Sequence, residues 1–286
     1  MKQRTLAHAI QSVATSDGAG VKLRRSIGSA RSIRLDPFLM LDEFGTDRPE
    51  DYIAGFPPHP HRGFETVTYM LDGHMRHEDH MGNVGELTEG GVQWMTAGRG
   101  VIHSEMPQQE EGRMRGFQLW INLPAAEKMK PAGYRDIPAA DIPIAEFDGG
   151  KVKVIAGNFG TGTGEIVGPV QGLTTAPVFY DVDLAAGKTF ETELPATHNA
   201  FVYSYEGYVS IGDDSGQSPL SAQSAGVLSA GDRVRISANA EPARFIVLAG
   251  KPLNEPVVQH GPFVMNTREQ IEQAIRDYKN GTLIAA

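Results

Sequence analysis

Two short stretches constrain this chain more than anything else in it: HPHRGFE, His59 to Glu65, and GRGVIHSEM, Gly98 to Met106. Each carries a pair of metal-capable side chains one residue apart, His59 and His61 in the first and His103 and Glu105 in the second. In a β-strand successive side chains point to opposite faces, so residues i and i+2 share a face and can converge on one point. The runs ETVTYML and GGVQWMT between the two stretches read as strands separated by polar, glycine-containing turns. The spacing therefore predicts antiparallel strands that bring three imidazoles and one carboxylate around a single ion.

The chain has no cysteine, which rules out disulfides and thiolate ligation and leaves only His, Asp and Glu as ligands. Imidazole and carboxylate donors suit Fe, Mn, Ni, Co, Cu or Zn, and ligand identity alone ranks these poorly. Four protein ligands within an octahedron leave two adjacent positions open for substrate and dioxygen, whereas four around tetrahedral zinc would close the site. Glu65 shares a face with His61 if the strand is unbroken, and is expected beside the ligands, accepting a ring N–H. Gly98 and Gly100 are expected to let the backbone approach closely before His103. Arg99, between them, reads equally as a cavity cation or a surface residue.

At 286 residues the chain exceeds what one core usually serves, and two domains are expected, 1–140 and 141–286. Its 33 glycines and 18 prolines suit many short strands joined by tight turns, an all-β architecture. A net charge of -9 argues against direct contact with a nucleic-acid backbone. The basic cluster Lys22 to Arg34 reads as a solvated edge. LAHAI, after Lys2 and Arg4, is too short and polar for a signal-peptide core, and no run of about 20 apolar residues follows. A cytoplasmic protein with no membrane partner is the expectation.

Along the chain, AHAIQSVAT and GVKLRRSI read as two strands around the turn SDGAG. Asp42 and Glu43 read as structural, with no partner chemistry nearby. DGHMRHEDHMGN offers His74, His77 and His80, but alternation lets no three converge, so a solvated hairpin is expected, the alternative being that His77 and Asp79, which share one face, point to the barrel mouth. In FQLWINLP, Phe117, Leu119 and Ile121 occupy one face and are expected in the core. Gln118, Trp120 and Asn122 occupy the other, and Gln118 is a candidate to line the metal cavity. Residues 124–150 read as a linker and GNFGTGTGEIVGP as a loop without the ending of a phosphate-binding motif. The second half repeats the order of elements of the first, which suggests a duplicated barrel. Only His198 remains near the first motif, and Val234 with Arg235 falls where His103 would, so this half is expected to be metal-free. A C-terminal helix is expected, with Thr267 and Gln270 as a capping box, Ile271, Ala274, Ile275 and Tyr278 on one face, and Gly281 as the stop. His8 and His260 have no companions at ligand spacing.

The stretches FPPHPHRGFETVTYMLDG and GGVQWMTAGRGVIHSEMP resemble the pirin family of the cupin superfamily, as do Arg24 to Gly45 and Phe263 to Tyr278. Residues 135–260 resemble it only loosely. The resemblance implies two stacked cupin (jelly-roll) β-barrels with a short C-terminal helix, and one Fe(II) per chain in the N-terminal barrel, other divalent metals being able to substitute. It implies that Glu105, rather than Glu65, is the carboxylate ligand beside His59, His61 and His103. Two functions follow from it as expectations. One is quercetin 2,3-dioxygenase activity on a flavonol-like small molecule with O2, with Glu105 as the catalytic base. The other is a non-enzymatic, redox-sensing regulator that binds a protein partner.

Overall fold

The computed structural model describes residues 2–29, 33–161, 164–213 and 216–284. Among these, Arg268–Lys279 is the one α-helix, and nearly all other regular structure is strand. Among the described residues no helix is long and apolar enough to cross a membrane.

The chain divides into two compact units. The first comprises Ala14–Arg25, Phe38–Ala139 and Leu253–Ala286. It holds a seven-stranded sheet, ordered Gly133–Ile137, Val92–Thr96, Phe64–Asp72, Met114–Asn122, Phe38–Thr46, Val21–Arg25, Val13–Asp17, and a four-stranded sheet, ordered Phe56–His61, Val101–Pro107, Met75–Asp79, Val84–Leu87. Met75 and Leu87 of the small sheet share a buried cluster with Phe44, Met70 and Met114 of the large one, so the two sheets face each other in a jelly-roll barrel.

The second unit comprises Met1–Val13, Ser26–Pro37 and Ala140–Pro252. It repeats the plan with a seven-stranded sheet, ordered Leu6–Gln11, Ser224–Leu228, Asn199–Glu206, Ala243–Gly250, Val178–Leu184, Gly150–Ala156, Ile144–Phe147, and a four-stranded sheet, ordered Thr189–Glu193, Arg233–Ala238, Val209–Asp213, Gly216–Leu220. Its interior is filled by side chains, Phe190, Val202, Val234, Ile236 and Phe245 among them.

The termini do not respect a division at residue 140 into contiguous halves. Leu6–Gln11 pairs with Ser224–Leu228 and fills the edge position that Gly133–Ile137 fills in the first unit, while the last 34 residues belong to the first. Within 124–150, Gly133–Ile137 and Ile144–Phe147 are paired strands rather than linker, because each caps a sheet edge that would otherwise stay open. GNFGTGTGEIVGP is likewise not a loop: Asn158–Thr161 and Gly164–Val167 pair in a hairpin.

The acidic and basic residues at the start of the first barrel find distant partners. Arg25 makes two bonds to Asp42, at 2.7 and 2.6 Å, and one to Asp17 at 2.9 Å, and Arg115 pairs with Glu43 at 2.9 Å. Asp42 and Glu43 are thus structural, but through ion pairs that close only when strands far apart in sequence meet. Arg25 is correspondingly not part of a plain solvated edge.

The C-terminal helix starts on the expected capping box. Thr267 Oγ1 accepts from the Gln270 backbone N–H, and Gln270 Oε1 accepts from that of Thr267. Ile271 and Ala274 bury against Phe263, Met265 and Leu283.

Candidate metal centre

Strand Phe56–His61 pairs antiparallel with Val101–Pro107 so that His103 stands opposite His59 and Val101 opposite His61. Alternation puts His59 and His61 on one face, and the register delivers His103 to the same place. One ring nitrogen from each lies within 4.8 Å of the others. His59 Nε2 and His61 Nε2 are 3.0 Å apart, and the rings of His59 and His103 have centroids 4.4 Å apart.

A hydrogen bond sets the tautomer of His59, and burial sets the charge of His61 and His103. His59 Nδ1 lies 2.9 Å from the Pro57 carbonyl, which can only accept, so the proton sits on Nδ1 and the Nε2 lone pair faces His61. Burial pushes the pKa of His61 well below the ordinary histidine range, as does the neighbouring His59, while the Pro262 carbonyl acts in the opposite sense. His103 is pushed the same way, first by burial and then by His61 and His59. His103 Nε2 is buried with no hydrogen-bond partner among the described residues. Converging neutral nitrogens, with no carboxylate placed between them to share a proton, fit a divalent metal ion.

Glu105 is buried two residues beyond His103, but its carboxylate stands outside the close cluster. The Thr68 hydroxyl donates to Glu105 Oε1 at 3.0 Å and lies 2.5 Å from Gln118 Oε1. Thr68 belongs to a polar row that register lays across the large sheet: Arg25 opposite Asp42, Asp42 opposite Gln118, Gln118 opposite Thr68, Thr68 opposite Gln93, and Gln93 opposite Asp136. Gln118 and Trp120 therefore face the cavity, and Phe117, Leu119 and Ile121 are fully buried on the opposite face.

Glu65 is not where an unbroken strand would put it. Arg62 and Gly63 interrupt the strand, Gly63 with φ +91°, and parity then sets Glu65 on the face away from Thr68 and Met70. It accepts from Thr96 Oγ1 at 2.8 Å and Trp94 Nε1 at 3.2 Å, not from a histidine of the cluster. Burial raises its pKa against these two donors.

His77 departs from the expected solvated hairpin. The turn after it is exposed, and His74 bonds Glu86 at the surface, but His77 is 3% exposed. Strand Met75–Asp79 pairs with Val101–Pro107, setting His77 opposite Glu105 and turning it inward. Its Nδ1 lies 3.3 Å from His103 Nδ1. Gly98 and Gly100 both take positive φ, and a Cβ on Gly98 would lie 2.2 Å from the Lys130 carbonyl, so close backbone approach does demand glycine there. Arg99, beside them, is exposed.

His59 and His61 open on a cavity of about 600 Å³. Leu23, Met40, Phe44, Phe56, Met75 and Trp120 supply its apolar wall, and Asp42, Thr68, Glu105 and Gln118 its polar one. Gln259, Gly261 and Pro262 of the C-terminal segment close one side.

The chain matches known proteins over most of its length. A family model described as pirin matches residues 20–121, and one described as the pirin C-terminal cupin domain matches residues 179–284. The chain is 56% identical over 270 residues to a Pseudomonas aeruginosa protein named as a putative quercetin 2,3-dioxygenase, covering 94% of each. It is 49% identical over 282 residues to a pirin-like protein of Caulobacter vibrioides, covering 98% of this chain and 99% of the other. The crystal structure of quercetin 2,3-dioxygenase from Acinetobacter baumannii superposes with a TM-score of 0.89 at 34% identity, covering 99% of both chains.

Proposed function

The chain belongs to the pirin family, and from that premise we propose that it is an iron(II)-dependent dioxygenase that opens the heterocycle of flavonols such as quercetin. The observation that carries the reading is the three-histidine cluster, with His61 and His103 buried and held neutral, two of whose members line a largely apolar cavity of about 600 Å³. That volume lies in the range of small-molecule sites. Relatives named for the same activity support it.

His59, His61 and His103 are the nitrogen ligands in this reading, and Glu105 is the carboxylate of the set. When bound, iron supplies a redox-active Lewis acid with open positions for substrate and dioxygen. The chain's own residues do the rest. Glu105 takes the proton of the flavonol 3-hydroxyl, and the Thr68 hydroxyl orients the carboxylate that receives it. Phe44, Phe56, Met40 and Trp120 flank a planar ring system and exclude water from the reacting carbons. Gln118 and Asp42 offer acceptors to phenolic hydroxyls. The overall change balances: both dioxygen atoms stay in the ring-opened ester, and the carbon that bore the 3-hydroxyl leaves as carbon monoxide.

Dioxygen uptake by anaerobically Fe(II)-loaded protein given quercetin tests the proposal. Turnover with carbon monoxide release is expected in the wild type, and its abolition in a His59→Ala, His103→Ala double variant. Loaded wild-type protein that consumes no dioxygen with quercetin overturns it and leaves the regulator as the family's other function.

A further inference from the structure

His77 is a buried histidine that the proposed reaction does not use. It reaches the site from a strand other than those carrying the three clustered histidines, and it meets one of them nitrogen to nitrogen. His77 Nδ1 lies 3.3 Å from His103 Nδ1, the ring centroids are 4.8 Å apart, and both residues are almost fully buried. The Tyr134 ring packs edge-on against His77 at 4.8 Å.

Two facing Nδ1 atoms hold one proton between them, and its owner decides what His103 can do. If His77 kept it, His103 would carry its own proton on Nε2 and have no lone pair there. If His103 donates, its Nε2 is bare. The Nε2 atoms of His103 and His77 are both buried without a protein partner among the described residues, so the ring that does not own the shared proton carries one on a buried Nε2. A metal ion at the cluster breaks that symmetry: only a bare His103 Nε2 is a ligand, and the remaining Nε2 proton then falls on His77.

We infer that His77 is a positioning residue for the metal: its Nδ1 accepts the His103 Nδ1 proton, fixing the tautomer and ring orientation that leave His103 Nε2 free to bind the ion. This rests on the metal reading of the cluster and deepens it, since outer hydrogen-bond partners of ligand histidines raise ligand basicity and hold the ring in place. Glu105, directly opposite His77 in the strand register, occupies the same neighbourhood without replacing that acceptor.

The test titrates full-length, chelator-treated protein with Co(II), reading the dissociation constant from the visible absorption bands and, separately, the thermal midpoint of the metal-free protein. His77→Phe, which keeps an aromatic ring but removes the acceptor, is expected to weaken Co(II) binding about 10- to 100-fold and alter the band pattern. His77→Gln, whose side-chain carbonyl can accept the same proton, is expected to recover most of the affinity. Wild-type affinity and spectrum in His77→Phe overturn the inference while leaving the metal site intact. Equal weakening in both variants, tracking equal losses of metal-free stability, makes His77 a packing residue and also overturns it. Wild-type protein that binds no Co(II) overturns both this inference and the reading beneath it.

Discussion

His61 and His103 are held neutral by the fold itself, and this carries a stability consequence that needs no metal to observe. An unfolded histidine titrates near 6.5, and both residues lie well below that when folded. The stability they contribute is thus fully present above about pH 6.5. It is lost as pH falls through that value toward the depressed folded ones, because the unfolded chain takes up protons that the native cluster refuses. Each unit of depression corresponds to about 1.4 kcal/mol. Metal-free protein melted between pH 8 and pH 5 is therefore expected to lose stability below about pH 6.5, and His103→Asn to flatten that loss. A slope unchanged in the variant would show that the cluster is not its source. The three histidines were legible because strand alternation is a local rule. His77 and Thr68 were not, since each meets its partner only through a register set by strands far apart in sequence. Glu65 misled for a local reason, the break at Gly63, which a period of two does not signal.

At the scale of elements, the end of strand Phe56–His61 is held by the C-terminal segment. Arg62, the residue after His61, pairs with Asp277 of the helix at 2.7 Å and donates to the carbonyls of Arg99 and Leu283. Lys128 Nζ ties the Gly63 and Val264 carbonyls together at 2.7 and 3.0 Å, and burial draws its pKa down to about 8. A Cβ on Gly63 would lie 2.0 Å from the Val264 carbonyl. The helix thus anchors the backbone that carries a proposed ligand. Asp277→Ala leaves the Arg62 guanidinium, 5% exposed, without its counter-charge, and a cost of about 2 kcal/mol is expected because the carboxylate itself is partly solvated. Thermal melts should show a fall of about 4–8 °C. A midpoint within a degree of wild type would mean the pair is not an anchor. The helix and its cap were readable from Thr267, Gln270 and the apolar stripe, but its role was not, because nothing in TREQIEQAIRDY names Arg62 as its partner. Strands 133–137 and 144–147 hid for a similar reason. The Pro, Ala and acidic residues around them suit a linker, and only the open sheet edges they cover make them strands.

For the molecule as a whole, two barrels of one plan divide into one that carries a histidine cluster beside a cavity and one whose interior is packed with apolar side chains. The strand pair Thr189–Glu193 and Arg233–Ala238 takes the place in the second small sheet that the histidine-bearing pair takes in the first. Its buried positions are Phe190, Thr192, Val234, Ile236 and Ala238, which offer no nitrogen or carboxylate. His198, the one histidine near that motif, gives its Nε2 to the Ala176 carbonyl at 3.0 Å. The repeat was visible because turn residues and strand order recur along the chain, whereas the exchange of the N-terminal edge strand was not, because pairing over more than 200 residues leaves no local trace. Apolar side chains fill that barrel interior, and the cleft of about 650 Å³ beside His198 gathers no three ligands close enough to share an ion among the described residues, so metal content should be set by the first unit alone. Elemental analysis after Fe(II) or Co(II) loading is expected to give one equivalent per chain, falling below a tenth in the His59→Ala, His103→Ala variant, while His198→Ala retains the full equivalent. Two equivalents in the wild type, or loss of metal on changing His198, would place a ligand set in the barrel that Phe190 and Ile236 close.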